Sequence, residues 1–382
     1  MSKTTILDPL RASVETEPAR GAQHDLSQRR TVRDLEPTFA DAEVPSSQIE
    51  DFFSTRKTFK MPTVPFAEQY RVEPHQVEPH QVEPLAGETI RTPDEKLFAR
   101  GKQVGSYIIE GVIDPGGEVS RVYKARHSLI KGKVAAIKVL LTRHAGRMDL
   151  METMRREATA LSSVKHANVV AFYDANVLDD LVWIAAEYIE GPNGRELIER
   201  NRGGLPLKDT LKIVYELGEG LAAAHDIGIL HLDVKPENLI DAKDGVKLVD
   251  LGAAKFLNDS FADSTRVAGT PHYMAPERFG PDPKPDQRAD IYSLALVLYE
   301  LVTGRHALTQ KRGLTDEQIE WLQCRLAPTM PPQLSFQLWE VVASALAKDP
   351  ERRPRTVREF ITQLKNATAA QSQSTMAGHI AT

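Results

Sequence analysis

The chain has a single cysteine in 382 residues, Cys324, so no intrachain disulfide can form, and the thiol content fits a reducing compartment. Long apolar runs are also missing. The best candidate, "IYSLALVLYELVTG", is interrupted by Tyr292, Ser293, Tyr299 and Glu300 and stops at Gly304. It falls short of the roughly 18 to 20 residues that a membrane-spanning helix needs, and reads as a buried core helix. The opening "MSKTTILDPLRASVETEPAR" has no apolar stretch of the secretory kind and too many acids for a transit peptide. Charge is nearly balanced at −5, which gives no electrostatic reason to expect nucleic acid or an anionic membrane as partner. These absences lead to the expectation of a soluble cytoplasmic protein. What the chain does have is apolar content, 41%, enough to fill one large domain or two ordinary ones.

Residues 1–100 read differently from the rest, with short polar stretches, frequent Pro, Glu, Gln and Thr, and little sustained periodicity, so a disordered tail is expected there. Within it "VEPHQVEPHQVEP" repeats a five-residue unit whose prolines oppose helix and favour extended chain, which reads as a spacer. His75 and His80 are read as part of that linker rather than as metal ligands, because ordering a flexible chain around a metal is costly. From about Gly105 the pattern becomes strand-like: "SYIIEGVI", "SRVYKARHSL", "KVAAIKVLL", "VVAFYDANVL" and "VWIAAEYI", with a helical "METMRREATALSSV" between the third and fourth. After Gly191 helices dominate. In "LKDTLKIVYELGEGLAAAH", Leu211, Val214, Leu217 and Leu221 share one face. Strands first and helices second imply two lobes with a cleft between them. Residues 367–382 are expected to be a flexible end.

Several charged residues fall in an order that suits phosphoryl transfer, which needs Mg²⁺, cationic donors on the phosphates and a carboxylate to take the hydroxyl proton. Lys138 lies in the strand "VAAIKVL", and Glu157 follows in the next helix, 157 − 138 = 19 residues on, where it could pair with the lysine. In "HLDVKPEN", Asp233 is followed at +2 by Lys235 and at +5 by Asn238, offering a base, a phosphate-binding cation and a metal ligand. Asp250 opens "DLG" after the apolar "VKLV" as a second metal ligand, and "GTPHYMAPE" comes next. Singly, a lysine in a strand or a glutamate in a helix is more often a solvated charge. The joint spacing carries the reading.

The ordered set "AIK", "HLDVKPEN", "DLG", "APE", "DIYSLALVLYELVTG" and "DPERRP", running from about Ser106 to Leu364, resembles eukaryotic-like serine/threonine protein kinases of bacterial type. The resemblance implies an α+β, bilobal kinase fold over 105–366, with a β-rich N-lobe and a mainly helical C-lobe. It implies an ATP- and Mg²⁺-dependent enzyme that phosphorylates protein serines and threonines, with Asp233 and Lys235 catalytic and Asn238 and Asp250 on the metal. ATP would be bound by Ile113, Gly116, Gly117, Val122, Ala136, Lys138, Glu157, Ala186, Glu187, Ile189 and Ile240. Lys235 and Thr270, the latter in the substrate-facing loop, point to serine/threonine rather than tyrosine substrates. Glu277 and Arg353 would form a bracing ion pair, and Asp290 would hold the catalytic loop from below.

Two positions depart from the family. The phosphate-covering loop, "IDPGGEVSRVY", has Asp114 where the first glycine is usual and Ser120 near the third, which implies weaker ATP binding or a displaced loop. Leu232 replaces the arginine that in many relatives pairs with a phosphate on the activation segment. Activity independent of phosphorylation at Ser260, Ser264 and Thr265 is therefore expected, and the hydroxyl-rich tail is a candidate for autophosphorylation. Two alternatives stay open: a nucleotide-binding pseudokinase scaffold, favoured by the altered glycine loop, and a small-molecule phosphotransferase with a similar loop, which "GTPHYMAPE" opposes.

Overall fold

A computed structural model describes residues 98–114, 119–144, 146–178, 181–256, 269–280, 283–309 and 313–380. The tail repeats, Gly116, Gly117 and the hydroxyls at 260, 264 and 265 lie outside them. The N-terminal lobe is an antiparallel sheet of six strands: β1 (Gln103–Val104), β2 (Tyr107–Asp114), β3 (Ser120–His127), β4 (Val134–Leu140), β5 (Phe172–Leu178) and β6 (Leu181–Glu187), in the order β1-β2-β3-β4-β6-β5. Alternation decides which side chains enter its core. In β4, Ala135, Ile137 and Val139 are buried, while Ala136 and Lys138 point to the other face. Helix α1 (Met148–Ser163) packs on β5 and β6 with Leu150, Met154, Glu157 and Leu161, a three- and four-residue spacing that keeps one stripe inward.

The C-terminal lobe contains α2 (Gly194–Arg200), α3 (Leu207–Asp226), α4 (Gln287–Thr303), α5 (Asp316–Arg325), α6 (Phe336–Ala345) and α7 (Val357–Ile380). Two short hairpin-like pairs, β7 (Ile229–Leu230) with β10 (Lys255–Phe256) and β8 (Leu239–Ala242) with β9 (Gly245–Leu248), carry the loops of the site. The expected face of α3 is buried at Leu211, Val214, Leu217 and Leu221. Helix α4 is buried at every position from Ala289 to Thr303, with Asp290, Ser293 and Glu300 among mostly apolar residues, so it is the core of the lobe. Each of its fully buried leucines contributes about 1.5 to 3 kcal/mol by leaving water. It starts where the Asp286 carboxylate accepts the Arg288 amide and stops at Gly304, φ 72°, where a Cβ would lie 2.4 Å from the Arg202 carbonyl oxygen. The bilobal α+β fold expected from the sequence is the fold observed. At the chain's end α7 runs on to Ile380, since nothing between Leu364 and Ala377 breaks a helix.

Candidate active site

Strand β4 and helix α1 bring Lys138 against Glu157, with Nζ 2.8 and 2.9 Å from the two carboxylate oxygens. The same ammonium lies 2.7 Å from Asp250 Oδ1, which also accepts the Gly252 amide at 2.9 Å. Burial works against the Lys138 ammonium, but the Asp250 and Glu157 carboxylates hold its pKa above the usual lysine range. The two acids diverge. Burial pushes Glu157 up to about 7, with Lys138 offsetting only part, whereas Asp250 sits below the usual range because Lys138 and the Gly252 amide outweigh its burial. Glu157 is 5% exposed and Asp250 39%, so the acid that keeps its charge most firmly is the one open to the cleft.

Across a cleft of about 530 Å³ lie Asp233, Lys235, Thr270 and Asp250. Asp233 Oδ1 accepts the Thr270 amide at 2.8 Å, and its Oδ2 lies 2.8 Å from Lys235 Nζ. Lys235 also donates to the Thr270 hydroxyl at 2.8 Å, and Asn238 Nδ2 donates to the Asp233 carbonyl at 2.9 Å and to Oδ2 at 3.2 Å. The candidate base is thus tied both to Thr270 and to the lysine and asparagine that follow it. Asp250 and Asn238 supply hard oxygen donors of the kind Mg²⁺ takes when phosphates complete its shell, so the donor chemistry fits that ion.

The loop that carries Asp233 is held from below. Asp290, wholly buried in the first turn of α4, accepts the His231 amide at 2.9 Å and the Leu232 amide at 2.7 Å, and lies 2.7 Å from His225 Nε2. Burial alone would raise the Asp290 pKa, but His225 and these donors hold it below the usual range. The Leu232 side chain is buried, and its backbone is left-handed at φ 62°. Asp250 shares that conformation at φ 63°, and among the described residues these are the two non-glycines with positive φ. Each costs roughly 1 to 2 kcal/mol, and strain of this kind persists where surrounding contacts over-determine the backbone.

Glu277 and Arg353 form the expected pair, two parallel contacts of 2.8 Å with the guanidinium fully buried. The sheet register places Val122 opposite Lys138, Lys138 opposite Ile184 and Ala136 opposite Ala186, so these side chains share the cleft face. Glu187 and Ile189 follow at the junction with the helical lobe, and Ile240 lies on β8, bridged to Asn193. Ile113 is 44% exposed near the end of β2. The Glu187 carboxylate is occupied by Lys247 at 3.1 Å, and the Glu187 amide donates to the Ala171 carbonyl at 2.8 Å.

A family model described as the protein kinase domain matches residues 116–366. The chain belongs to the protein kinase family. Over 274 residues it is 35% identical to the serine/threonine-protein kinase PrkC of Bacillus subtilis, covering 70% of this chain and 41% of that protein. It is 34% identical over 255 residues to the serine/threonine-protein kinase PknB of Mycobacterium leprae, covering 64% and 40%. A probable serine/threonine-protein kinase of Clostridium perfringens is 32% identical over 270 residues, covering 69% and 39%. The kinase therefore spans about two fifths of the length of the curated relatives it matches.

Sequence reasoning missed two parts of this kinase. Arg195 reaches Glu237 at 2.9 Å, Glu300 at 2.6 Å and the Tyr273 hydroxyl at 2.6 Å, joining α2 and α4 to the catalytic loop and the segment after Thr270. Arg278, directly after "APE", is buried beside Leu232. Neither has a spacing signal, because the partners are distant in sequence or are backbone atoms.

The register also makes the small Ala186 testable. With alanine on the cleft face behind the adenine position, adenine-mimicking inhibitors that carry a large aromatic group are expected to bind the unmodified kinase. Ala186→Met is expected to weaken them about 5- to 150-fold, the cost of forcing roughly 1 to 3 kcal/mol of overpacking into a filled pocket. Competition titration checks this, and an unchanged affinity would move the hinge alignment by at least one residue.

Proposed function

We propose that this chain is an active serine/threonine protein kinase that uses ATP and Mg²⁺ to phosphorylate hydroxyls on protein substrates. The observation that carries the reading is the joint state of Asp233, Lys235 and Thr270, with the base bonded to the Thr270 amide while Lys235 spans both residues. In this mechanism Asp233 orients the attacking hydroxyl and receives its proton, and Lys235 offsets charge that builds on the transferred group. Lys138 binds phosphate oxygens while Glu157 fixes its position. Asp250 and Asn238 would hold Mg²⁺, whose chemistry is to neutralise charge on the phosphates. The kinase domain is taken as 105–366 and residues 1–100 as a Pro/Glu-rich tail, and the single cysteine favours a reducing compartment such as the cytoplasm.

Radiolabelled ATP, the purified chain and a generic protein substrate test this. Label on protein serine or threonine is expected. Nucleotide binding without turnover would support the pseudokinase, and label on a small molecule alone the small-molecule phosphotransferase. Digestion of the same labelled chain tests the tail as a substrate: its threonines at 31, 38, 55 and 58 are linked to the domain, which sets an effective concentration on the order of millimolar.

Independence from activation-segment phosphorylation is part of the proposal. It is supported by Leu232, which offers no cation to a phosphate, and by the Lys138–Glu157 pair, which forms in the unmodified chain. Replacing Ser260, Ser264 and Thr265 together by alanine is expected to leave kcat within a few-fold. A hundredfold loss in the same assay would reverse this conclusion.

A further inference from the structure

The Leu232–Asp233 peptide needs holding, because Leu232 occupies a left-handed conformation that its branched side chain disfavours. Asp290 holds the preceding peptide through the Leu232 amide. In the Leu232–Asp233 peptide itself, the Leu232 carbonyl accepts a hydrogen bond from the Arg278 guanidinium, and the Asp233 amide donates to His231 Nδ1 at 3.2 Å. That carbonyl belongs to the peptide unit leading into Asp233, so whatever fixes its direction also fixes where the Asp233 carboxylate starts from.

The surroundings of Arg278 extend the argument. The side chain is almost fully buried, and burial lowers its pKa against the opposing pull of Asp290, Asp233 and Glu277. A charge placed so deep needs fixed acceptors, and the Leu232 carbonyl is one of them. Gly269 lies against the guanidinium: a Cβ there would sit 3.3 Å from both terminal nitrogens and 2.9 Å from the Leu232 carbonyl oxygen, at a φ of 122°. The next residue, Thr270, gives its amide to Asp233. Arg278 therefore touches the catalytic loop and the end of the activation segment at once, next to the two backbone links that orient the base.

We propose that Arg278 is a positioning residue for Asp233, a built-in guanidinium that joins the catalytic loop to the activation segment from the side of the "APE" turn where Leu232 cannot. This rests on the kinase reading above and goes beyond it by stating what replaces the missing charge. The replacement needs no phosphate, because its acceptor is a backbone carbonyl.

The test compares Arg278→Met and Arg278→Lys with the wild-type full chain, reading kcat, KM for ATP and the melting transition. Arg278→Met is expected to lower kcat about 10- to 100-fold, the range for losing a charged hydrogen-bond donor, with KM for ATP within threefold and Arg278→Lys intermediate. A kcat for Arg278→Met within threefold of wild type overturns the proposal. So does a loss in which KM for ATP rises in step, since that would mark a general packing role. If Arg278→Met has no cooperative melting transition, Arg278→Gln decides by the same criteria. An inactive wild-type chain would overturn the kinase reading and this inference with it, whereas an active wild type with indifferent Arg278 variants overturns the inference alone.

Discussion

Asp233→Asn is expected to fold, bind nucleotide with KM for ATP within a few-fold, and lose about 10²- to 10⁴-fold in kcat. The substitution is nearly isosteric. An amide oxygen in place of Oδ1 can still accept the Thr270 amide, now 2.8 Å away, so the link to the substrate-facing segment survives. What disappears is the negative charge 2.8 Å from Lys235 and, with it, the capacity to take a proton from a hydroxyl. Among the described residues no other side chain is bonded to both Thr270 and Lys235, so none is placed to substitute. Steady-state phosphorylation of a peptide measures the effect, and turnover within threefold of wild type would remove Asp233 from the role of base.

The second large effect concerns stability. Asp290→Ala is expected to cost about 3 to 5 kcal/mol, a large part of the 5 to 15 kcal/mol by which domains are usually stable. The carboxylate is inaccessible to solvent and receives the His231 and Leu232 amides and the His225 ring. Truncation strands two buried N–H groups and a buried imidazole, and a methyl group cannot admit enough water to satisfy them. Asp290→Asn, which keeps an acceptor for one amide, is expected to lose less. Urea denaturation monitored by tryptophan fluorescence gives both values. A loss under 1 kcal/mol for the alanine variant would mean that the loop finds other partners.

Residues whose placement follows from chain-local spacing were legible in the sequence. Lys138 follows from a strand pattern, Glu157 from its place on the next helix, and Lys235 and Asn238 from their offsets within one loop. The lobes were legible for a similar reason, since the one-sided face of α3 and the long, mostly apolar run of α4 are pattern signals. Contacts made to the backbone were harder to read. A sequence does not display a carbonyl, so the bond from Arg278 to Leu232 left no trace in the residue pattern. A leucine at φ 62° runs against its own local preference and can be found only by looking. Arg195 is separated from Tyr273 by 78 residues and from Glu300 by 105, with no repeat linking them. The departure at Leu232 was visible as a missing charge, but the residue that makes up for it was not.

The position of Asp290 has a consequence for how the enzyme comes apart. It belongs to the first turn of α4, which is buried throughout, so the amides it holds in the catalytic loop are tethered to the least openable part of the lobe. The loop and the helix are therefore expected to unfold together, so that partial denaturation of the C-lobe yields a mixture of competent and incompetent molecules.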